Sequence, residues 1–385
     1  MRSVLRVLVC VAGLIGPAAL PAADNGTAES ASSRFTDPDD GWFDVSEFLD
    51  TAYGFIPLVA PITEPAVGYG AVGALVFVDR EPTERGQRYA RPNIAAIGGL
   101  ATENGTRGAF AAHLGTWIDG QFRTLVAVAD MDVNLEYFGL GGDRNPGDAG
   151  VGYGIAARGG VAGGSYRFGE TPLWLGLRYT YVNTRVTFDI ADPGLAGISP
   201  DDLNLRLAAL TPSLTLDMRD NFFTPTEGWY LDLSVPLFRE ALGSDRDFET
   251  LTLTAMHYRP LSSSLFLGVR GGVRTSSDRT PFFLRPYVWL RGVQVLQYQG
   301  EQAAEVEAEL RWQLHSRFSL VGFGGAGIAR SEIGSSDRDQ SVTAGGAGFR
   351  YLVARQHGLH MGIDLAFGPD DPIIYVVFGN AWLRP

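Results

Sequence analysis

Cysteine is all but missing: of 385 residues only Cys10 carries a thiol. It sits in an apolar leader and follows Val9 rather than a small residue, which argues against a lipoprotein-type cleavage. The mature chain therefore has no disulfide framework. Lysine is missing altogether; all 31 basic residues are arginine, a composition bias that carries no functional weight. Basic charge is also scarce against 43 acidic residues, for a net charge of −12. Removing Arg2 and Arg6 with the leader takes this to −14, so nothing remains that would track nucleic acid. No mature segment approaches the roughly 20 apolar residues of a helical membrane span. Only five histidines occur (His113, His257, His315, His357 and His360), scattered along the chain. There is no Gly-x-Ser-x-Gly elbow and no His-Glu-x-x-His helix. The expectation is no catalytic residue, no cofactor, no metal site and no enzyme.

What is present begins with that leader. Arg2 and Arg6 precede an apolar stretch, the breaker pair Gly16-Pro17 and small residues, the pattern of a secretory signal peptide over residues 1–23, cut near Ala22 or Ala23. Residues 24–66 read as a polar periplasmic linker holding a short amphipathic helix within 42–57. There Val45, Phe48, Leu49 and Ala52 fall at helical spacing, and Asp44 and Glu47 are placed as a cap and its reciprocal acid. From residue 67 to 382, glycine and aromatics are abundant and apolar residues alternate with polar ones. This pattern predicts an all-β fold: a transmembrane antiparallel β-barrel of about 16 strands in the outer membrane, with both chain ends in the periplasm. The first strand is expected at 67–78 and the last at 373–382, with separate strands at 121–131 and 134–140.

One loop stands apart. Residues 284–301 read LRPYVWLRGVQVLQYQGE, too apolar to face water and with Arg291-Gly292 in the middle. An arginine drawn out of solvent needs a counter-charge. In the strand that follows, Glu305, Glu307, Glu309, Arg311 and Gln313 share one parity, while Val306, Ala308, Leu310, Trp312 and Leu314 share the other. One face is ionised and the other suits lipid. Arg158, Arg178, Arg270 and Arg350 are also expected to face the lumen, as are His360 and Asp364.

Two segments carry a resemblance. Asp217-Met218-Arg219-Asp220, with Pro225 and Gly228 after it, joins the eighth and ninth expected strands. Leu290-Arg291-Gly292-Val293 lies between the eleventh and twelfth. Together they resemble the bacterial surface antigen, or BamA/TamA, family of outer-membrane barrels, over about residues 67–382. The resemblance implies that Asp217, Arg219, Asp220, Pro225 and Gly228 mark a periplasmic turn, and that the Arg291-Gly292 loop folds back into the lumen. It also implies a terminal insertion signal at Phe378 and Trp382. Three departures matter, one being that Leu383-Arg384-Pro385 trail the terminal Trp382. The 43 residues of 24–66 leave no room for the family's periplasmic (polypeptide-transport-associated) domains. The family's Phe-x-Asp-x-Gly stretch, which faces the loop arginine, reads Phe323-Gly324-Gly325-Ala326-Gly327 here, with Gly325 in place of the acid. Glu305, Glu307, Glu309 and Asp364 are the candidate replacements.

The resemblance implies insertion or export of proteins or lipids across the outer membrane. It also implies outer-membrane lipid, barrel-assembly machinery and a separate periplasmic protein as partners. Such barrels are expected to use a weak seam between first and last strands, for which Gly68, Gly70, Gly73 and Gly379 are candidates. The alternatives are a channel for small solutes and, last, an outer-membrane enzyme.

Overall fold

The computed structural model describes residues 35–51, 54–79, 93–138, 150–189, 199–331 and 338–382. The leader lies outside the described residues. A short helix, α1 (Ser46–Thr51), precedes seventeen described strands of one antiparallel sheet. These begin with β1 (Gly54–Ile62), β2 (Gly70–Asp79), β3 (Asn93–Thr102) and β4 (Arg107–Trp117). The long strands β5 (Phe122–Tyr137), β6 (Val151–Arg167), β7 (Leu173–Phe188) and β8 (Asn204–Asp217) follow. Next, β9 (Gly228–Ser234) and β10 (Leu237–Phe238) are two pieces of one stave, both pairing with β8 and with β11 (Phe248–Pro260). Pro236, which has no N–H to give the ladder, sits at the break between them. The series ends with β12 (Leu265–Ser276), β13 (Gln302–Gln313), β14 (Phe318–Ser331), β15 (Arg338–Ala354), β16 (Leu359–Phe367) and β17 (Ile373–Phe378).

Seventeen strands thus make sixteen staves, the expected number, but two boundaries moved to reach it. Residues 121–131 and 134–140 are not two strands; β5 runs unbroken from Phe122 to Tyr137. The wall begins at Gly54, well before residue 67, because β1 pairs with β2 over its whole length. Among the described residues the expected helix covers Ser46–Thr51, and Ala52 lies outside them.

An even number of staves brings the start of β1 and the end of β17 to the same end. That end also holds the turns 118–121, 168–172, 261–264, 314–317 and 355–358; we call it the turn end. The opposite, loop end includes 239–247 and the long 277–301. Outward side chains such as Phe55, Val59, Ile97, Val128, Leu177 and Ile363 are exposed and apolar, as a lipid-facing band requires. No helix among the described residues is long and apolar enough to cross a membrane.

Arg158 departs from the expected inward set. It is on the outer face of β6, its side chain 77% exposed and paired with Asp130. Arg270 and Arg350, by contrast, are each 1% exposed inside the barrel.

Candidate functional site

The 277–301 loop enters the barrel from the loop end and touches two unlike walls. Its base is apolar. Phe282 makes edge-on or tilted ring contacts with Tyr137, Tyr153 and Phe188, on β5, β6 and β7. Phe282, Phe283 and Leu296 join one buried cluster with Met131, Val133, Leu135, Ile155, Val186 and Leu207. Lumen-facing residues of these strands are apolar because they meet this loop rather than water.

Its tip meets charge. Arg291 Nε donates to Glu307 Oε1 at 2.6 Å. Its Nη1 lies 2.7 Å from both Glu309 Oε2 and Asp364 Oδ2. The guanidinium also rests 3.6 Å from the centre of the Phe323 ring. Of the four candidate acids, the structure brings Glu307, Glu309 and Asp364 to Arg291. Glu305 instead holds Arg274 at 2.5 and 2.8 Å, with Arg270 at 3.5 Å. Asp364 also pairs with Arg350 at 2.9 Å. Four arginines and four carboxylates thus share one buried network, in which each charge has partners.

Register accounts for the acid absent at Gly325. That residue sits directly opposite Glu307 in the β13–β14 ladder. A Cβ on Gly325 would lie 2.6 Å from the Val306 carbonyl oxygen and 2.8 Å from Leu290 Cδ2. The loop thus packs against the bare backbone of Gly325, and the carboxylate comes from one strand over. Gly292 has φ +88°, and a Cβ there would sit 3.0 Å from the Phe367 carbonyl oxygen. Its N–H donates to Tyr375 Oη at 3.2 Å, which ties the loop to β17.

The turn motif is folded around its own charges. Asp217 receives Nε and Nη2 of Arg219, each at 2.8 Å. Asp220 accepts the N–H groups of Thr226 and Glu227 at 2.9 and 3.1 Å. Pro225 lies within this 218–227 loop. At Gly228, φ is +111° and a Cβ would stand 2.2 Å from the Met218 carbonyl oxygen. At the C-terminus, Phe378 closes β17 opposite Met361. Trp382 lies beyond the strand, turned inward and 2% exposed, and its Nε1 donates to Glu307 at 3.1 Å.

The series of ladders has two ends. β1 and β3 occupy both edges of β2, and β8 and β11 both edges of β10. Among the described residues, β1 has register with β2 and β17 with β16, and no register joins β1 to β17. Glu64, just past β1, is close enough to Tyr375 on β17 for its charge to act there. Pro57 and Pro61 stand two and six residues after Phe55 in β1 and so belong to one edge. Proline in a sheet is placed with its missing N–H away from a ladder, which assigns these two to the edge away from β2. Gly68 and Gly70, weighed as seam residues from sequence, instead lie at the β1–β2 connection, and Gly73 lies within β2 opposite Val59 of β1.

Sequence reading missed one cluster entirely. Arg317, in the β13–β14 turn, is fully buried under the N-terminal segment, where Asp37, Asp40 and Asp44 meet it at 2.7, 2.6 and 2.6 Å. Its guanidinium holds the Asp40 carboxyl down at about 2. Burial pushes Asp44 up, but the bonds from Ser46, Arg317 and the Arg355 backbone outweigh it and the net shift is downward. Val45 completes the contact, its N–H donating to the Val353 carbonyl at 2.8 Å.

A family model for the Omp85 superfamily domain matches residues 147–365, more than half of the chain. Among solved structures the fold is similar to BamA from Haemophilus ducreyi lacking POTRA domains 1–3, at 12% identity and TM-score 0.55, covering 92% of this chain and 82% of that one. It is similar to CdiB from Escherichia coli at 13% identity and TM-score 0.57, covering 86% of this chain and 60% of that one. The CdiB of Acinetobacter baumannii gives 10% identity and TM-score 0.55 over 86% and 66% of the two chains. The chain thus spans less than two thirds of either CdiB. No curated protein sequence matches it.

Proposed function

The chain belongs to the Omp85 superfamily, an outer-membrane β-barrel, and we propose that it inserts or exports other polypeptides or lipids through a seam between β1 and β17. One observation carries this reading: among the described residues the ladder series runs out at those two strands, and Pro57 and Pro61 deprive the free edge of β1 of two donors. A segment with a free strand edge pairs readily with such a border. On this reading the turn end is periplasmic, with the N-terminal segment beside it, and a separate periplasmic protein delivers the cargo. Barrel-assembly machinery places the barrel in the membrane, and Phe378 and Trp382 act in that step.

A passive solute channel fits less well. The 277–301 loop spans the lumen from Tyr153 on β6 to Asp364 on β16, which leaves little open path.

Restoring both donors in the double variant Pro57→Ile/Pro61→Ile tests the seam. Each new backbone bond would stabilise the closed barrel by about 0.5–1.5 kcal/mol. In liposomes, the wild type should speed folding of an unfolded outer-membrane barrel, and the variant should melt higher and speed it less. An unchanged rate in a more stable variant rejects the seam as the route. No acceleration by the wild type, together with large steady conductance, favours the channel.

A further inference from the structure

We propose that the turn end of the lumen carries an oxyanion site for a doubly charged phosphate group, built from Arg123, Arg167 and Arg219. The three arginines line one cavity of about 190 Å³, with Trp174 as its aromatic wall. This is several times the roughly 30 Å³ share of one water, enough for a phosphate group and its hydration. Their positions follow from the fold: Arg123 is the second residue of β5, Arg167 ends β6, and Arg219 lies just past β8.

Charge and unmet hydrogen bonding point the same way. The Arg123 and Arg167 guanidinium carbons lie 3.7 and 5.4 Å from the Trp174 ring centre. Arg219, with its side chain 1% exposed, spends Nε and Nη2 on Asp217, while its Nη1 is buried without an acceptor. The Nε of Arg167 is likewise buried without one. Asp217 is the single carboxylate lining the cavity and is already gripped in both its oxygens, so three positive charges against one leave a net charge of +2. A phosphate monoester or free phosphate carries about −1.5 to −2 near neutral pH and offers three acceptor oxygens. Guanidinium forks suit such oxygens better than a point charge would. This inference stands apart from the seam, which lies across the barrel at β1 and β17.

Calorimetric titration of the purified full chain in a zwitterionic detergent tests the site, with inorganic phosphate as probe and chloride at matched ionic strength as control. Saturable binding of one phosphate per barrel is expected. Arg123→Gln and Arg167→Gln should each weaken it roughly tenfold or more, as the loss of one charge-assisted bond would. Arg158→Gln, on the outer face, should leave it unchanged, and heat-modifiability on a gel reports that each variant is folded. Phosphatidic acid in mixed micelles distinguishes the source. Tighter binding than free phosphate, lost in Arg167→Gln, assigns a lipid headgroup; equal or weaker binding assigns free phosphate. No saturable phosphate or phosphatidate binding, or binding that folded Arg123→Gln and Arg167→Gln leave unmoved, overturns the proposal.

Discussion

The two walls of the lumen hold the same loop by opposite means. From β5 to β8 the contact is apolar: Val133, Leu135, Tyr153 and Leu207 pack on Phe282, Phe283 and Leu296. From β12 to β16 the tip is held ionically, with Arg291 set among Glu307, Glu309 and Asp364 beside a smaller apolar patch of Val288, Leu290 and Val293 on Ala329 and Val342. Apolar packing is distributed over many small contacts and adapts to similar shapes. A buried charge network stabilises little in sum, because desolvation opposes attraction, yet losing one partner strands the rest. The apolar wall therefore gives the loop a resting place, and the charged wall gives it one register.

That contrast is most exposed at Arg291. Arg291→Ala would leave Glu307, Glu309 and Asp364 facing one another with a positive charge removed. The expected loss is about 3–5 kcal/mol, read as a lower urea midpoint of the folded barrel. Arg291→Lys should still cost about 1.5–3 kcal/mol, because an ammonium cannot reach three carboxylates as a planar fork does. A lysine variant as stable as the wild type would mean that charge alone, without geometry, seats the loop.

Gly325→Asp asks whether the acid could stand on β14 after all. The new side chain would meet Val306 O, Leu290 and the Glu307 backbone, all within 3.1 Å of its Cβ. Overpacking of this kind costs about 1–3 kcal/mol, so the barrel should unfold at lower urea. A gain in stability would show that the loop can shift to make room. On the other wall, Phe282→Leu should cost less than about 1.5 kcal/mol, since shape there is negotiable. If it costs as much as Arg291→Lys, the two walls do not differ in the way described.

How far the sequence speaks depends on what each strand faces. Most staves alternate apolar with polar and could be read directly. β5 looked like two strands because Asp130, Asp132 and Asn134 interrupt its outward apolar face, while Met131, Val133 and Leu135 continue inside. β1 was hidden for the opposite reason. Its inward Leu58 and Ala60 are as apolar as its outward Phe55 and Val59, so alternation vanishes. One strand too many and one too few left the total at sixteen and kept the loop between the eleventh and twelfth staves. At the site, parity singled out the inward acids of β13, but it could not say that Glu305 would turn to Arg274. That choice is made by register with β12, where Glu305 lies opposite Gly272 and Glu307 opposite Arg270.

The Arg317 cluster was illegible for a simpler reason: Asp37 and Arg317 are 280 positions apart. It is also the mildest place to test ionic against apolar attachment, because the N-terminal segment rests on both Arg317 and Val45. Asp40 has its carboxyl held at about 2 by the bond to Arg317, below the roughly 3.9 of a free aspartate. A depressed carboxylate contributes its stabilisation fully above the free value and loses it as pH falls through the bound one. The ionic part of the clasp should therefore weaken between about pH 4 and pH 2. Hydrogen exchange of residues 35–51 should accelerate across that window while the barrel strands stay protected. In Arg317→Gln the exchange should already be fast at neutral pH, with little further change on acidification. If protection instead persists to pH 2 in the wild type, the segment is held by Val45 and its apolar neighbours, and the ionic clasp is secondary even at this end of the barrel.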